Sequence, residues 1–425
     1  MPEFLEQYAK KIESIQARKN QQKKWLELEV EKKFNDFWIN KPLPKALPSE
    51  FNVAAVDSSS YYITTADGGI FYVARAIARA GESTYRKLDA DVEYTSEPEP
   101  KIVEFVGRKM EWLEHEVALE VAKEKLAEYI LIDGSIYGRL AHLPLELHYA
   151  NNKDFMLEYF ETLAKLLETC EKNRIAVIGI SKESRTSFFR EFLIRVIACN
   201  LKEKIGLSID KIQEILTLAL DNKRKALEES EKVGNELLRD LIEELISRKP
   251  DFQLILKYAR NEGYTTPLLI GASARWRRSY KRIKINPEEF VKSNFPFLSR
   301  NEEFVESALK IVRKMEKFPS IVSFHLLPAI NDTPIRVDVP SWVFGIEKKL
   351  AEIGWPEETK VDIDKILKLI SAGYCGLENY NIWLKAVDEE VKLRKSIFEN
   401  LYLPKFEEFF GKFATSRSYR RIRFP

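Results

Sequence analysis

Three acidic residues stand where their carboxylates could share a cation. Asp57 follows the apolar run NVAAV and precedes Ser58-Ser59-Ser60, so it is expected at the end of a strand, on the edge of a sheet. Asp133 is set up in the same way: YILI runs into Asp133-Gly134-Ser135, where glycine permits a tight exit and close approach of a ligand to the backbone. A strand-end aspartate taken alone is more often a turn or cap residue than a catalytic one, but two at the ends of neighbouring strands shift that balance. The third acid is Glu114. At the helical step, Val103, Met110, Val117, Ala118 and Val121 fall within roughly 60° of it, which puts Glu114 inside an apolar stripe while Glu116 and Lys123 project from the other side. A carboxylate on a buried face is costly unless it is paired or binds a metal, so the alternative for Glu114 is a buried salt bridge to Arg or Lys. Asp57, Glu114 and Asp133 together would form an all-oxygen site, suited to Mn²⁺ or Mg²⁺ rather than zinc. One or two such ions can activate water and stabilise a leaving oxygen in phosphodiester hydrolysis. Lys182, in GISKES just after the next strand, could meet a phosphate or the developing charge, or simply be solvated.

The elements that must position these residues follow from periodicity. Residues 3–39 read as one charged helix, closed by the Pro-rich KPLPKALPSE. FNVAAVD, YYITTA and GIFYVARAIARA read as three antiparallel strands, the last two joined across Asp67-Gly68-Gly69, residues that tolerate positive φ. Residues 102–128 are expected as a helix, EYILIDGS as a short buried strand, 153–172 as a helix, and RIAVIGISK as a further buried strand. The order β-β-β-α-β-α-β is that of an RNase H-like α/β fold, a mixed sheet flanked by helices. Residues 202–262 are charged and helical with no strand signal, and read as an α-helical insertion; SIVSFHLL and PIRVDVP are late strands, and 362–400 holds one or two closing helices. The expected divisions are an N-terminal helical region (1–48), an RNase H-like core (49–200), a mainly helical insertion with a basic stretch (201–317), and a C-terminal part that completes the core (318–425).

The chain has 425 residues, 45% apolar and 32% charged, with 68 Lys+Arg against 66 Asp+Glu. This composition fits a folded chain rather than a disordered one. Cys170, Cys199 and Cys375 are far apart and form no C-x-x-C pair, which argues against a disulfide framework or a thiolate zinc site. No apolar run reaches the ~18 residues of a membrane span, and MPEFLEQYAKKIES lacks the apolar segment of a signal peptide, so a cytoplasmic protein without membrane partners is expected. The near-neutral total hides local imbalance. Residues 263–287 carry no acid but hold Arg275, Arg277, Arg278, Lys281, Arg282 and Lys284, interleaved with Trp276 and Tyr280. A second acid-free stretch, after Glu408, holds Lys412, Arg417, Arg420, Arg421 and Arg423 with Tyr419 and Phe424. Such mixtures suit a polyanion whose bases can stack, against the plainer reading of a solvated loop and a tail.

The segments AAVDSSS, MEWLEHEVALEVA, ILIDGS, IGISKES, PIRVDVP and GYCGLENY, in order from about residue 50 onward, resemble the NurA nuclease family of archaea and bacteria. The resemblance implies an RNase H-like, Mn²⁺-dependent deoxyribonuclease with single-strand endonuclease and 5′-to-3′ exonuclease activities. It also implies a homodimer that works on single- and double-stranded DNA with a hexameric HerA-type translocase during double-strand-break repair. Carried over by position, the metal-binding acids fall on Asp57, Glu114 and Asp133. The late segment departs from the family pattern of Gly-Tyr-Pro followed by a histidine: Gly373-Tyr374 is followed by Cys375, and Asn381 stands near the histidine's place. Tyr374, Asn381, Asp338 and His325 are the candidates for a fourth ligand or helper, and Arg336 could face phosphate or pair with Asp338. Two other readings compete: an RNase H-like hydrolase acting on RNA or junctions, and a catalytically silent DNA-binding adaptor that kept the fold. No G-x-x-x-x-G-K-[ST] loop occurs, so ATP-driven movement would come from a partner.

Overall fold

In the computed structural model the described residues are 2–20, 24–272 and 274–411, without the side chains of 2, 3, 14–20 and 274–278. They form two compact units. One joins residues 1–39 to 185–260, and the other joins 40–184 to 261–425. The boundaries expected near 48, 200 and 317 therefore fall instead after 39, 184 and 260.

The first unit is helical. The single helix expected over 3–39 is two, Pro2–Asn20 and Lys24–Phe37. Lys24–Phe37 turns Leu26, Val30 and Phe34 inward, and Phe34 meets Phe189 and Tyr258 at ring separations of 6.0 and 5.7 Å. These apolar contacts explain why the insertion shares a unit with the N-terminal helices. Within it, Ser208, Asn222 and Asn235 cap the helices Ile209–Asp221, Lys223–Val233 and Glu236–Ser247 by accepting backbone N–H bonds.

The second unit is built on a mixed sheet. Its strands are β1 (Val53–Thr64), β2 (Gly69–Ala80), β3 (Ser83–Tyr94), β4 (Tyr129–Asp133), β5 (Ala176–Lys182), β6 (Gly263–Thr265), β7 (Leu268–Ile270), β8 (Ile321–Leu327), β9 (Ile335–Pro340) and β10 (Glu357–Glu358). The principal order is β6-β8-β9-β5-β4-β1-β2-β3, with β7 pairing β8 and β10. β1, β4 and β5 are parallel; β2 and β3 continue antiparallel on one side, and β9 and β8 on the other. This is the expected RNase H-like arrangement, with one difference in its first strands. FNVAAVD and YYITTA are a single strand, because Ser58, Ser59 and Ser60 do not turn but pair with Ala76, Arg75 and Ala74. The third antiparallel strand is β3, whose polar sequence STYRKLDADVEY suits a half-exposed edge and hid it from a search for apolar runs.

The helices that matter for the site are α1 (Glu99–Glu124), α2 (Ile136–Leu140), α3 (Phe155–Asn173), α4 (Glu302–Met315), α5 (Asp364–Gly373) and α6 (Ile382–Val391). α1 packs on β1, β2 and β3, and α3 packs beside it. The other face of the sheet presents Val53, Ala55, Ile77, Tyr129, Leu131, Ile178 and Ile180, which form one core with Leu367 and Ile370 of α5 and Leu384, Val387 and Val391 of α6. None of the described helices is long and apolar enough to cross a membrane.

Candidate functional site

The parallel register sets the two aspartates side by side. Val56 pairs with Ile132, the last parallel pair of β1 and β4, so Asp57 and Asp133 follow at matching positions. Asp133 ends its strand as expected; Asp57 does not, since β1 runs on to Thr64 along β2. Side chains alternate along a strand, and Val53, Ala55 and Asp57 therefore share a face with Tyr129, Leu131 and Asp133, and with Ile178, Ile180 and Lys182. That face carries α5 and α6.

The turn after Asp133 is tightly built. Gly134 has φ of +115°, which L side chains rarely adopt, and a Cβ on Gly179 of β5 would lie 2.6 Å from the Gly134 carbonyl oxygen and 2.8 Å from the Ile136 nitrogen. Ser135 caps α2 by accepting the Gly138 N–H and donates to Asp338 Oδ2 at 2.6 Å. Two glycines and one cap thus fix where Asp133 leaves the sheet.

Burial, first, and then the charges of Glu114, Asp133 and Asp388 push the Asp57 carboxyl up to about 7, against the pull of a 2.8 Å bond from the Ser58 N–H. Asp133 Oδ2 lies 3.4 Å from Lys182 Nζ, which also sits 3.8 Å over the ring of Tyr380. Lys182 is the last residue of β5, at the same sheet edge as both aspartates. Tyr380 is 7% exposed, and its hydroxyl lies beside the Asp133 carboxylate. Burial, then the charge of Asp133 and a hydrogen bond with it, and then the charges of Asp57 and Asp388 hold its pKa well above the phenol range.

Glu114 is buried in the apolar stripe of α1, where its helical phase put it. It accepts from the Ser58 hydroxyl, on the opposite face of β1 from Asp57, and pairs closely with the Arg139 guanidinium of α2. The salt bridge weighed for this acid is therefore present. Burial raises the Glu114 pKa, opposed by Arg139 and Ser58. Arg139 also donates to the carbonyls of Glu111, at 3.4 Å, and Asp133, at 3.5 Å. Glu111 is in turn held by Tyr159 and His142 at 2.7 and 3.2 Å.

The remaining candidates fall elsewhere. Arg336 is 1% exposed; it pairs with Asp338 at 2.8 Å and donates to Ser323. This is the alternative named for it, and a guanidinium so enclosed is removed from the nucleic-acid set. Asp338 is taken up by Arg336, Ser323 and Ser135. His325 lies in β8, three strands from β4, and burial beside Arg336 pushes it down to about 3. Asn381 is the N-cap of α6, accepting from Trp383 and Leu384, and Tyr374 donates to Asp332. Two residues whose surroundings include both aspartates were not singled out in the sequence, Tyr380 before α6 and Asp388 within it. The helical phase of 382–391 was the available signal, since Asp388 borders the stripe of Leu384, Val387 and Val391.

The basic stretch is a helix, Ala274–Ile285, rather than a loop. Lys281 and Lys284 are exposed, while Arg282 is also exposed and donates to Ser293 at 2.7 Å. Tyr280 is buried and donates to the Leu140 carbonyl, so it is not free to stack on a base. The side chains of Arg275, Trp276, Arg277 and Arg278, and the tail from Lys412 onward, lie outside the described residues.

A mixed sheet that sets two aspartates at matched positions of neighbouring parallel strands, with a buried glutamate from the first crossover helix behind them, defines an RNase H-like α/β protein with an acidic site at the sheet edge. The family model described as the NurA domain matches residues 51–393, and the chain belongs to that family of nucleases. The chain is similar in fold to the NurA nuclease from Sulfolobus solfataricus, at 14% identity and a TM-score of 0.53, over 96% of this chain and 98% of that one. A NurA structure with manganese also aligns, at 14% identity and a TM-score of 0.42, over 94% and 96% of the two chains. No curated protein matches the chain.

Proposed function

We propose that this protein is a Mn²⁺- or Mg²⁺-dependent deoxyribonuclease that processes DNA ends in double-strand-break repair. In this reading it cuts single strands internally, degrades strands 5′ to 3′, and works as a homodimer with a hexameric HerA-type translocase. The observation that carries the reading is the matched pair Asp57 and Asp133 in a chain of the NurA family. The donors are oxygens, which fit a hard divalent cation, and the crowding of acidic charge that lifts the Asp57 pKa is what a bound cation would relieve. Asp57, Glu114 and Asp133 are the residues that would hold the ion. Among the described residues no three Asp, Glu, His or Cys side chains close on one point, so binding requires these carboxylates to turn toward one another. A bound ion would supply Lewis acidity toward the phosphodiester.

The chain's own residues do the rest. Asp57, whose pKa near 7 reflects its buried and acidic surroundings, gives up its proton on binding a cation. Lys182 offsets the charge of Asp133 and can turn to a phosphate oxygen. Lys281 and Lys284 offer exposed positive charge to a nucleic-acid backbone. DNA and RNA strands of one sequence, labelled at either end and incubated with Mn²⁺, test the substrate. Internal cuts and loss from the 5′ end of DNA are expected, accelerated on duplex ends by the translocase with ATP. Preferential cleavage of RNA would overturn the assignment, and DNA binding without cleavage would favour a silent adaptor.

A further inference from the structure

We propose that Lys392 and Arg394, in the strap that follows α6, bind backbone phosphates of the DNA strand next to the bond that is cut. The inference rests on the nuclease reading above and gives that site a substrate-binding arm.

Three hydrogen bonds hold the strap beside the site. Ser59 Oγ accepts the Leu393 N–H at 2.8 Å, and Arg75, opposite Ser59 in the ladder, donates to the carbonyls of Val391 at 2.7 Å and Lys392 at 2.9 Å. Ser59 is two residues beyond Asp57 on the same face of β1, a step of about 7 Å. Leu393 is buried with Ile63, Phe71, Val73 and Phe398, which fastens the strap from inside.

The conformation of the strap then decides where its charges go. The backbone is extended at Lys392, with φ −56° and ψ 110°, and at Arg394, with φ −72° and ψ 149°. Successive side chains of an extended chain point to opposite sides, so Leu393 turns inward and the two cations that flank it turn out. Both are exposed.

Their lack of partners sets them apart from the cations around them. Lys385 pairs with Glu389 at 3.2 Å, Lys395 with Glu399 at 3.9 Å and Arg86 with Glu390 at 2.5 Å. Neither Lys392 nor Arg394 has a carboxylate partner among the described residues. Lys182 stands on the other side of the aspartates, at the end of β5. An acidic pair repels a polyanion, and fixed cations on both sides of it offset that repulsion and leave phosphates a place to bind.

The test is the affinity of the full-length protein for a fluorescently labelled DNA single strand, read by anisotropy in EDTA across a range of salt. Wild type is compared with the double variant Lys392→Ala with Arg394→Ala, and with the charge-keeping pair Lys392→Arg with Arg394→Lys. The alanine pair is expected to bind about tenfold more weakly near 0.15 M salt and to lower the slope of log affinity against log salt by about 1.4, two phosphate contacts on a single strand. The charge-keeping pair should bind like wild type. Unchanged affinity and slope in the alanine pair would overturn the proposal while wild-type cleavage keeps the nuclease reading standing. Equal losses in both pairs would also overturn it, since charge would not be what matters. So would tighter Mn²⁺ binding by the alanine pair with DNA affinity unchanged, because the cations would then serve only to offset the acids. If wild type neither binds nor cleaves DNA, both readings fall.

Discussion

Replacing Arg139 with methionine removes the positive partner of a buried acid while keeping the apolar bulk of the side chain. The side chains of Arg139 and Glu114 are 4% and 6% exposed, so neither charge is relieved by water. Breaking one side of such a pair costs about 3–5 kcal/mol, because the remaining charge stays buried. Arg139→Met should fall in that range at neutral pH. Glu114→Gln should cost less, since Arg139 keeps the nearby charge of Glu111 and its carbonyl contacts. The double variant should recover roughly 1–3 kcal/mol relative to the sum of the single changes. Burial already raises the Glu114 pKa, and loss of Arg139 raises it further, so the penalty should shrink as pH falls and Glu114 takes up a proton. Native-state hydrogen exchange of the β1 and β4 amides reads the stability of this unit alone. Additive single and double changes, or an Arg139→Met variant within about 0.5 kcal/mol of wild type, would refute the reasoning.

Asp57 shares that pH direction, but replacing it has the opposite sign. Its folded pKa, about 7, exceeds the ordinary 3.8, so its contribution is fully present below about 4 and is lost as pH rises through 7. Asp57→Asn should therefore stabilise the metal-free protein above pH 7, by on the order of 2–4 kcal/mol, and leave it unchanged near pH 3; denaturant midpoints across pH check this. Gly179→Ala should destabilise by about 1–3 kcal/mol or more, because its Cβ meets backbone atoms of the Asp133 turn, and calorimetry reads the loss. Lys281→Glu with Lys284→Glu should weaken DNA binding and flatten its salt dependence; unchanged affinity and slope would leave that helix a solvated surface.

Much of this site was legible because it depends on local patterns. An apolar run that ends in Asp-Gly-Ser marks the exit of β4, and the helical phase of Glu114 placed it in the buried stripe of α1 without any tertiary information. What was hidden depends on pairing between distant segments. Ser58-Ser59-Ser60 looks like a turn until Ala74 and Ala76 lie opposite, where small side chains fit a continuous ladder. β3 escaped notice because an edge strand needs no apolar run. Arg336 and Asp338 alternate as a strand should, and only their burial decides that they serve each other rather than DNA. Tyr380 and Asp388 were missed for a related reason: nothing near them in sequence says that α6 returns, some 330 residues later, to lie along β1.

The central claim is that Asp57, at the matched parallel position with Asp133, carries a metal-dependent nuclease. The direct test is degradation of end-labelled single- and double-stranded DNA with Mn²⁺, Mg²⁺ or EDTA, comparing wild type with Asp57→Ala at equal folded concentration. Cleavage that requires the divalent ion and disappears in the variant is expected. Absence of cleavage by wild type with the translocase present, or cleavage by Asp57→Ala at the wild-type rate, would contradict the account.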